Sequence, residues 1–291
     1  MQQDTDQNQR PGYNQLLRRR HYLWANRSTI TDPKLQGELA MLERINNKLR
    51  GYDWVQAQGQ AIVPHSIHSS LADALRSNRL DRFVLKPAGG HSSKGVYLLQ
   101  RRPGGGYSCA MTGRDYSSDE ELVAHHAKLQ SAQKDRISTE VILEAYVEDS
   151  QGYDVPLDYK VYAFACGTPI LMQRYAPIHI PKTDWGFEFY SEEGQRLGPI
   201  RNGVSSGERW GLRPPTHLPD LFRAARTLIS AAQVSFVRID LYSTPAGPVF
   251  GEFTPVPNNA KESFVPAYDR LLGDLWLQSL EVLGCRYLRP H

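Results

Sequence analysis

Residues 83–99, FVLKPAGGHSSKGVYLL, constrain this chain more than any other stretch. A short apolar run, Phe83-Val84-Leu85, ends in Lys86-Pro87, the pattern of a strand that delivers a lysine to its end. Small and polar residues follow from Gly89 to Gly95, and a second apolar run, Val96 to Leu99, leads back out. Strand, glycine-serine loop and strand read as a hairpin whose tip can lay backbone N–H groups against an anion. Gly90 and Gly95 let the backbone come close, and Ser92 and Ser93, after His91, add hydroxyl donors. The loop is not a Walker P-loop, because GxxxxGK followed by Ser or Thr is absent and a strand, not a helix, comes next. A flexible hairpin without a ligand would carry the same residues, so the loop alone leaves both readings open.

The rest of the chain narrows the class. Its 291 residues suffice for one large or two to three small domains, and 40% hydrophobic with 22% charged residues is an ordinary soluble globular composition. A net charge of +3 is too slight to imply a nucleic-acid partner, and the run Arg18-Arg19-Arg20 reads as a solvated face. Cys109, Cys166 and Cys285 are odd in number and widely spaced, which argues against a disulfide framework or zinc site and fits a reducing cytoplasm. The N-terminal MQQDTDQNQRPG lacks the apolar core of a signal peptide, and no run is long enough to span a bilayer. A soluble, cytoplasmic protein with no membrane or nucleic-acid partner is expected. Its oligomeric state is not legible.

Residues 1 to about 14 are polar and read as a disordered tail. Leu35, Leu39, Leu42, Ile45 and Leu49 fall at helical spacing, predicting one amphipathic helix over 34–49 with Lys48 at its end. A small strand at Ala61-Ile62-Val63 and a short helix capped by Ser69 complete a mainly helical region, 1–80. Ser118-Asp119-Glu120-Glu121 is a capping box opening a helix to about Gln130, on which His125 and His126 read as packing residues. Val141-Ile142-Leu143 starts a strand that runs on to Asp149. DYKVYAFACGTPILMQRYA reads as a β-hairpin, with Asp158, Lys160 and Tyr162 on one face. Residues 176–217 show no period, and helices are predicted from Leu218 to about Val234 and over about 266–283. The fold class is α+β with a largely antiparallel sheet, divided as 1–80, 81–143 and 144–291.

The chemistry concentrates in a second hairpin, SFVRIDLYSTPAGPVFGEFTPVP. Arg238, Asp240 and Tyr242 project from one face of its first strand, and Phe250, Glu252 and Thr254 from one face of the second. Counting back from the turn puts Asp240 within about one residue of the position opposite Glu252. Two converging carboxylates repel unless a cation sits between them, and Mg²⁺ is commonly held by one or two carboxylates with substrate phosphates. Arg238 could neutralise one carboxylate instead, which is the plain salt-bridge alternative. Lys48, Lys86, Lys160 and the glycine-serine loop add the cations and anion cradle that a Mg-nucleotide site requires.

Taken in order, KLRGYDWVQAQGQAIVP, FVLKPAGGHSSKGV, VILEAYV, DYKVYAF, FVRIDLY and GEFTPVP resemble the ATP-grasp superfamily. The first two pieces are similar to the D-alanine–D-alanine ligase pattern, and the later block to the ATP-grasp group typified by the teichuronopeptide-biosynthesis protein. The resemblance covers about residues 48–275. It implies an ATP-grasp fold, two α+β lobes with antiparallel sheets gripping a nucleotide, after an N-terminal region shorter than usual. It implies that Lys48 and Lys86 contact ATP phosphates, that Gly90, His91, Ser92, Ser93 and Gly95 form a lid, and that Lys160 is a further phosphate contact. Glu144, Ala145, Tyr146 and Val147 would connect the lobes, with backbone groups of Ala145 and Val147 meeting adenine, and Glu148 or Asp149 would suit the ribose. Arg238 would stabilise charge at the reacting carbonyl, and Asp240 and Glu252 would ligate Mg²⁺. Thr254 stands where many members have Asn, so Asn258 or Asn259 would help complete the metal site. The implied activity is an ATP-dependent carboxylate–amine ligase working through an acyl phosphate on a small-molecule, peptide or polymer substrate. Arg174, Asn258 and Asn259 are the candidate substrate contacts. A kinase acting on a hydroxyl and a non-catalytic nucleotide-binding module are the alternatives.

Overall fold

The computed structural model describes residues 10–89, 95–132, 138–176 and 181–285. Residues 1–9 of the tail expected to about residue 14, and the loop candidates Gly90, His91, Ser92 and Ser93, lie outside the described residues. Three helices come first: α1 (Tyr13–Ala25), α2 (Pro33–Asn46) and α3 (Lys48–Ala57). Asp32 caps α2 by accepting the Leu35 N–H at 2.8 Å, and Pro33 supplies a pre-set φ at the first helical position. The single helix expected over 34–49 is broken at Asn47, whose backbone is extended and whose side chain accepts the Arg50 N–H at 3.1 Å. Asparagine competes with helical hydrogen bonding in this way, so it closes α2 and opens α3 with Lys48. Helix α1 falls where the sequence reads as a polar tail and a solvated basic run. Its buried stripe is Tyr13, Leu16, Leu17 and Arg20, and Arg20 is fully enclosed rather than solvated.

The first sheet contains β1 (His65–His68), β2 (Arg82–Pro87), β3 (Tyr97–Arg101), β4 (Tyr107–Cys109), β5 (Arg114–Tyr116) and β6 (Val141–Ala145). Their order is β1-β6-β2-β3-β4-β5, antiparallel throughout. Helices α4 (Leu71–Ser77) and α5 (Asp119–Ser131) share a core with Phe83, Leu85, Tyr97, Leu99, Val141 and Leu143. Ser70, not Ser69, caps α4, and Ser118 caps α5 by accepting the Glu121 N–H. The opposite face therefore carries Val84, Lys86, Ile142 and Glu144, which the register places side by side. Strand β6 stops at Ala145, four residues short of its expected end, and Ala61-Ile62-Val63 forms only a single bridge, Ile62 to Phe250.

The second sheet is β7 (Asp158–Phe164), β8 (Gly167–Tyr175), β9 (Gly186–Tyr190), β10 (Ser205–Ser206), β11 (Phe236–Thr244) and β12 (Gly247–Thr254), ordered β10-β9-β8-β7-β11-β12. One face, with Tyr159, Val161, Val237, Ile239 and Leu241, packs on α2, α3 and α6 (Leu218–Ala232). The other face packs Tyr162, Phe164, Ile170 and Phe236 on Tyr13 and Leu17 of α1 and on Leu272 and Trp276 of α7 (Pro266–Val282). Packing thus divides the chain differently from the 1–80, 81–143, 144–291 scheme. Helices α1 to α3 complete the second lobe, while β1 and α4 belong to the first. Among the described residues no helix is long and apolar enough to cross a membrane.

Candidate active site

The charged residues continue the aromatic face of the second sheet beyond the cover of α1 and α7. Cross-strand register places Phe236 beside Phe164, Arg238 beside Tyr162 and Asp240 beside Lys160. On the other side of β11, Arg238 faces Thr254 and Asp240 faces Glu252 directly. Phe250, however, lies opposite Leu241 and is buried in the rear core with Phe253, so it does not share a face with Glu252. The reason is a β-bulge that leaves Gly251 without a partner and reverses the alternation. A Cβ at Gly251 would come within 3.1 Å of the Asp240 carbonyl and 3.2 Å of the Tyr242 ring, which is why glycine stands there.

Asp240 is almost fully buried and doubly paired. Arg238 donates Nε to Oδ1 at 2.7 Å and Nη2 to Oδ2 at 2.8 Å, and Lys160 hydrogen-bonds Oδ2 as well. Burial alone would raise this carboxyl, but Arg238 and then Lys160 outweigh it and hold its pKa well below the usual range. Lys160 also lies 2.8 Å from Asp158, which pairs in turn with Arg174. The hydroxyl of Thr254, the third metal candidate, accepts from the same Arg238 at 3.0 Å.

The first sheet presents its own charged group. Lys86 donates to the Tyr52 hydroxyl and contacts Glu144, each at 2.5 Å, and the Tyr52 hydroxyl donates to Glu144 at 2.7 Å. Glu144 is thus a counter-ion on the β6 face rather than part of the connection after it. Lys48 donates to the Pro87 carbonyl at 2.9 Å, and burial, with Lys86 next, lowers its pKa. Tyr52 joins the two sets across the cleft between the sheets, since its hydroxyl bonds Glu144 of the first sheet while its ring meets Phe250 of the second edge-on at 6.1 Å. Sequence reading gave no role to Tyr52 or to His65, whose ring lies tilted 4.8 Å from Tyr52, and it placed Tyr242, which burial holds neutral among Asp158, Glu144 and Glu252, on the Asp240 face without a role. Tyr52 and His65 have no local signal.

After β6 the chain crosses between lobes. The Ala145 N–H donates to the Pro64 carbonyl at 2.9 Å and is not available to a base. Asp149 accepts the N–H groups of Gln151 at 2.8 Å and Leu157 at 2.9 Å, so its buried carboxylate shapes the loop. That leaves exposed Glu148 as the ribose candidate. Tyr146 carries the Arg82 guanidinium 3.6 Å from its ring centroid, and the two line a cavity of about 290 Å³ with Glu148, Tyr153 and Asp154. Of the substrate candidates, Arg174 is engaged by Asp158 and lies 5.3 Å from the Trp185 ring centre. Asn258 and Asn259 are exposed in a turn where they and Ala260 all have left-handed backbones, φ 50°, 49° and 59°. Three such residues in a row are costly outside glycine.

The donor set fits a hard divalent cation shared with phosphates. Glu252 makes no ion pair with any described residue, and burial, then Asp240, hold its carboxyl above the ordinary range. Its side chain is nonetheless open to the cleft. No third Asp, Glu, His or Cys joins the pair among the described residues. A carboxyl held above its unfolded pKa binds its proton more tightly when folded. Stability therefore falls as pH rises from the unfolded to the folded pKa, and the penalty persists at neutral pH. Because Glu252 is open to solvent, much of this penalty is screened, and Glu252→Gln is expected to raise the Tm at pH 7 by no more than about 1 °C. The gain should shrink toward about pH 4, where the native carboxyl is protonated. Thermal melts across pH check this, and a gain that ignores pH would contradict it.

Comparison with known proteins follows the same lines. No curated protein sequence matches the chain. Among solved structures it is similar to the VanG D-Ala:D-Ser ligase from Enterococcus faecalis, at 16% identity over 82% of this chain and 62% of that one, TM-score 0.48. It is similar also to the D-alanine–D-alanine ligase from Helicobacter pylori, at 15% identity over 81% of this chain and 61% of that one, TM-score 0.47. For D-alanyl-alanine synthetase A from Vibrio cholerae the values are 14%, 84%, 62% and 0.46. The chain thus spans less than two thirds of the length of these structures. A family model described as TupA-like ATPgrasp matches residues 29–277, a stretch that holds both sheets and every paired charge of the cleft. With a match of that extent, and with the α+β ATP-grasp fold, the chain belongs to the TupA-like ATP-grasp family.

Proposed function

We propose that this chain is an ATP-dependent carboxylate–amine ligase that uses Mg²⁺ and forms an amide bond through an acyl phosphate. The observation that carries the reading is the Asp240–Glu252 pair, flanked by Arg238 and Lys160 and set across the cleft from Lys48 and Lys86. Asp240 and Glu252 would hold Mg²⁺, which supplies neutralisation of the β- and γ-phosphate charge. Lys48, Lys86 and Lys160 exchange their present oxygen partners for phosphate oxygens and orient the γ-phosphorus. A substrate carboxylate oxygen attacks that phosphorus, and the bond to ADP breaks. An amine then attacks the acyl carbon and loses a proton, and phosphate departs. Arg238, two residues from Asp240 and on its face, supplies donors where the tetrahedral oxyanion forms. Arg174, Asn258 and Asn259 would receive the acid or the amine substrate, a small molecule, a peptide or a polymer end, with Arg174 best matched to a carboxylate.

The test is release of ADP and phosphate from Mg-ATP against amino acids singly and in pairs, with product masses. Phosphate release that needs both an acid and an amine, with a product one water lighter than their sum, is the expected result. ADP without free phosphate would replace the ligase by a kinase. Nucleotide binding with no turnover on any acceptor would leave a binding module whose Arg238–Asp240–Lys160 network is simply structural.

A further inference from the structure

Arg238 is ion-paired with Asp240, a candidate metal ligand, and a second buried carboxylate, Glu262, which is ion-paired with Arg201, lies near its covered side. On the open side Asp240 takes both Nε and Nη2. On the covered side lies Glu262, 2% exposed, in the segment that follows the left-handed turn. It accepts the Tyr13 hydroxyl of α1 at 3.3 Å and lies 3.4 Å from Arg201 Nε. Tyr162, the cross-strand neighbour of Arg238, packs edge-on against Phe264 at 5.3 Å and Tyr13 at 6.2 Å, which brings Glu262 to the same place. The segment is tied down further by a bridge from Arg201 to Phe264. After Asp240, Glu262 is the next charge that Arg238 feels.

A divalent cation that takes Asp240 must displace the bidentate guanidinium. With Asp240 as its sole counter-charge, Arg238 would be left buried and uncompensated, and the exchange would be strongly opposed. We propose that Glu262 is a positioning residue for Arg238, a standing counter-charge that holds the guanidinium at the reaction centre once the metal has taken Asp240. The proposal rests on the ligase reading above. It also gives the irregular segment between β9 and α6 a task, because Arg201 holds Glu262 from behind.

The experiment is a double-mutant cycle read by Mn²⁺ binding in the presence of a non-hydrolysable ATP analogue, followed by electron paramagnetic resonance. Glu262→Gln is expected to weaken Mn²⁺ about tenfold, because Arg238 then clings to Asp240, and to lower kcat about 10–100-fold with KM for ATP within about twofold. In an Arg238→Met background the same substitution should change Mn²⁺ affinity less than about twofold. Equal effects in both backgrounds would overturn the proposal, since a structural role through Tyr13 or Arg201 does not depend on Arg238. If the Gln variant melts early, Glu262→Asp, which keeps the charge, should hold Mn²⁺ affinity within about threefold, and a full loss there would also overturn it. Wild-type protein that binds no Mn²⁺ with nucleotide would sink the ligase reading itself.

Discussion

Replacing Asp240 by Asn is expected to lower ATP-dependent turnover by at least about a thousandfold in a protein that still folds. The amide keeps the shape of the carboxylate but not the charge, so Glu252 alone remains to attract the metal. Arg238 and Lys160 would lose their shared partner, yet Lys160 keeps Asp158 at 2.8 Å and Arg238 keeps Thr254 at 3.0 Å. The stability loss should therefore sit near the lower end for a broken buried pair, about 3 kcal/mol. Its pH dependence has a definite sign. Asp240 is held below its unfolded pKa, so its stabilisation is complete above the unfolded value and is lost as pH falls toward the folded one. The gap between native protein and variant should be widest at neutral pH and close in strong acid. Urea unfolding at several pH values measures the gap, and ADP release measures turnover. Turnover within about tenfold of native would remove Asp240 from the metal site.

The strand alternation and the TPAG turn made Asp240 opposite Glu252 legible, because register in a short hairpin follows from the turn. The same alternation misplaced Phe250, since one unpaired Gly251 reverses every side chain before it and carries no sign in the sequence that it is a bulge. Strand β9 was hidden for a different reason. All five residues of GFEFY are buried, so there is no polar face to alternate with. Helix α1 was lost because its core stripe includes an arginine, which composition assigns to solvent. Lys86 and Lys160 were legible as strand-borne cations, and Asp158 was legible on the face of Lys160 two residues away, but Glu144 as the partner of Lys86 was not, because it sits on β6, distant in sequence, and meets Lys86 only once the first sheet has formed. Asp149 shows the limit most plainly. A carboxylate after the connecting strand suits a ribose by type, and only the loop geometry reveals that two backbone N–H groups already occupy it.

The largest stability effect is expected at a residue far from the cleft, Arg20→Met. Arg20 is fully buried and donates to Glu38 at 2.6 Å, the Ser235 hydroxyl at 2.8 Å and the Phe236 carbonyl at 3.1 Å. Its guanidinium also lies 4.8 Å from the Trp276 ring centre, and the Trp276 indole donates to the same Ser235 at 2.9 Å. Methionine keeps most of the volume but takes the counter-charge from Glu38, which is 5% exposed. Breaking such a pair from one side costs about 3–5 kcal/mol, a large share of the 5–15 kcal/mol that holds a typical domain together. Urea unfolding should show a lower midpoint with an unchanged slope. Replacing both partners, Arg20→Met with Glu38→Leu, should recover most of the loss, because an apolar pair of similar volume carries no desolvation cost. A single-variant loss under about 1 kcal/mol would mean that α1 and α2 are appended to the lobe rather than part of its core. The position matters for the site because Ser235 and Phe236 lead into the strand that carries Arg238 and Asp240, and Glu262 answers to Tyr13 on the same helix. Fixing α1 against that strand from one end and against Glu262 from the other gives the short N-terminal helix a direct part in placing the guanidinium.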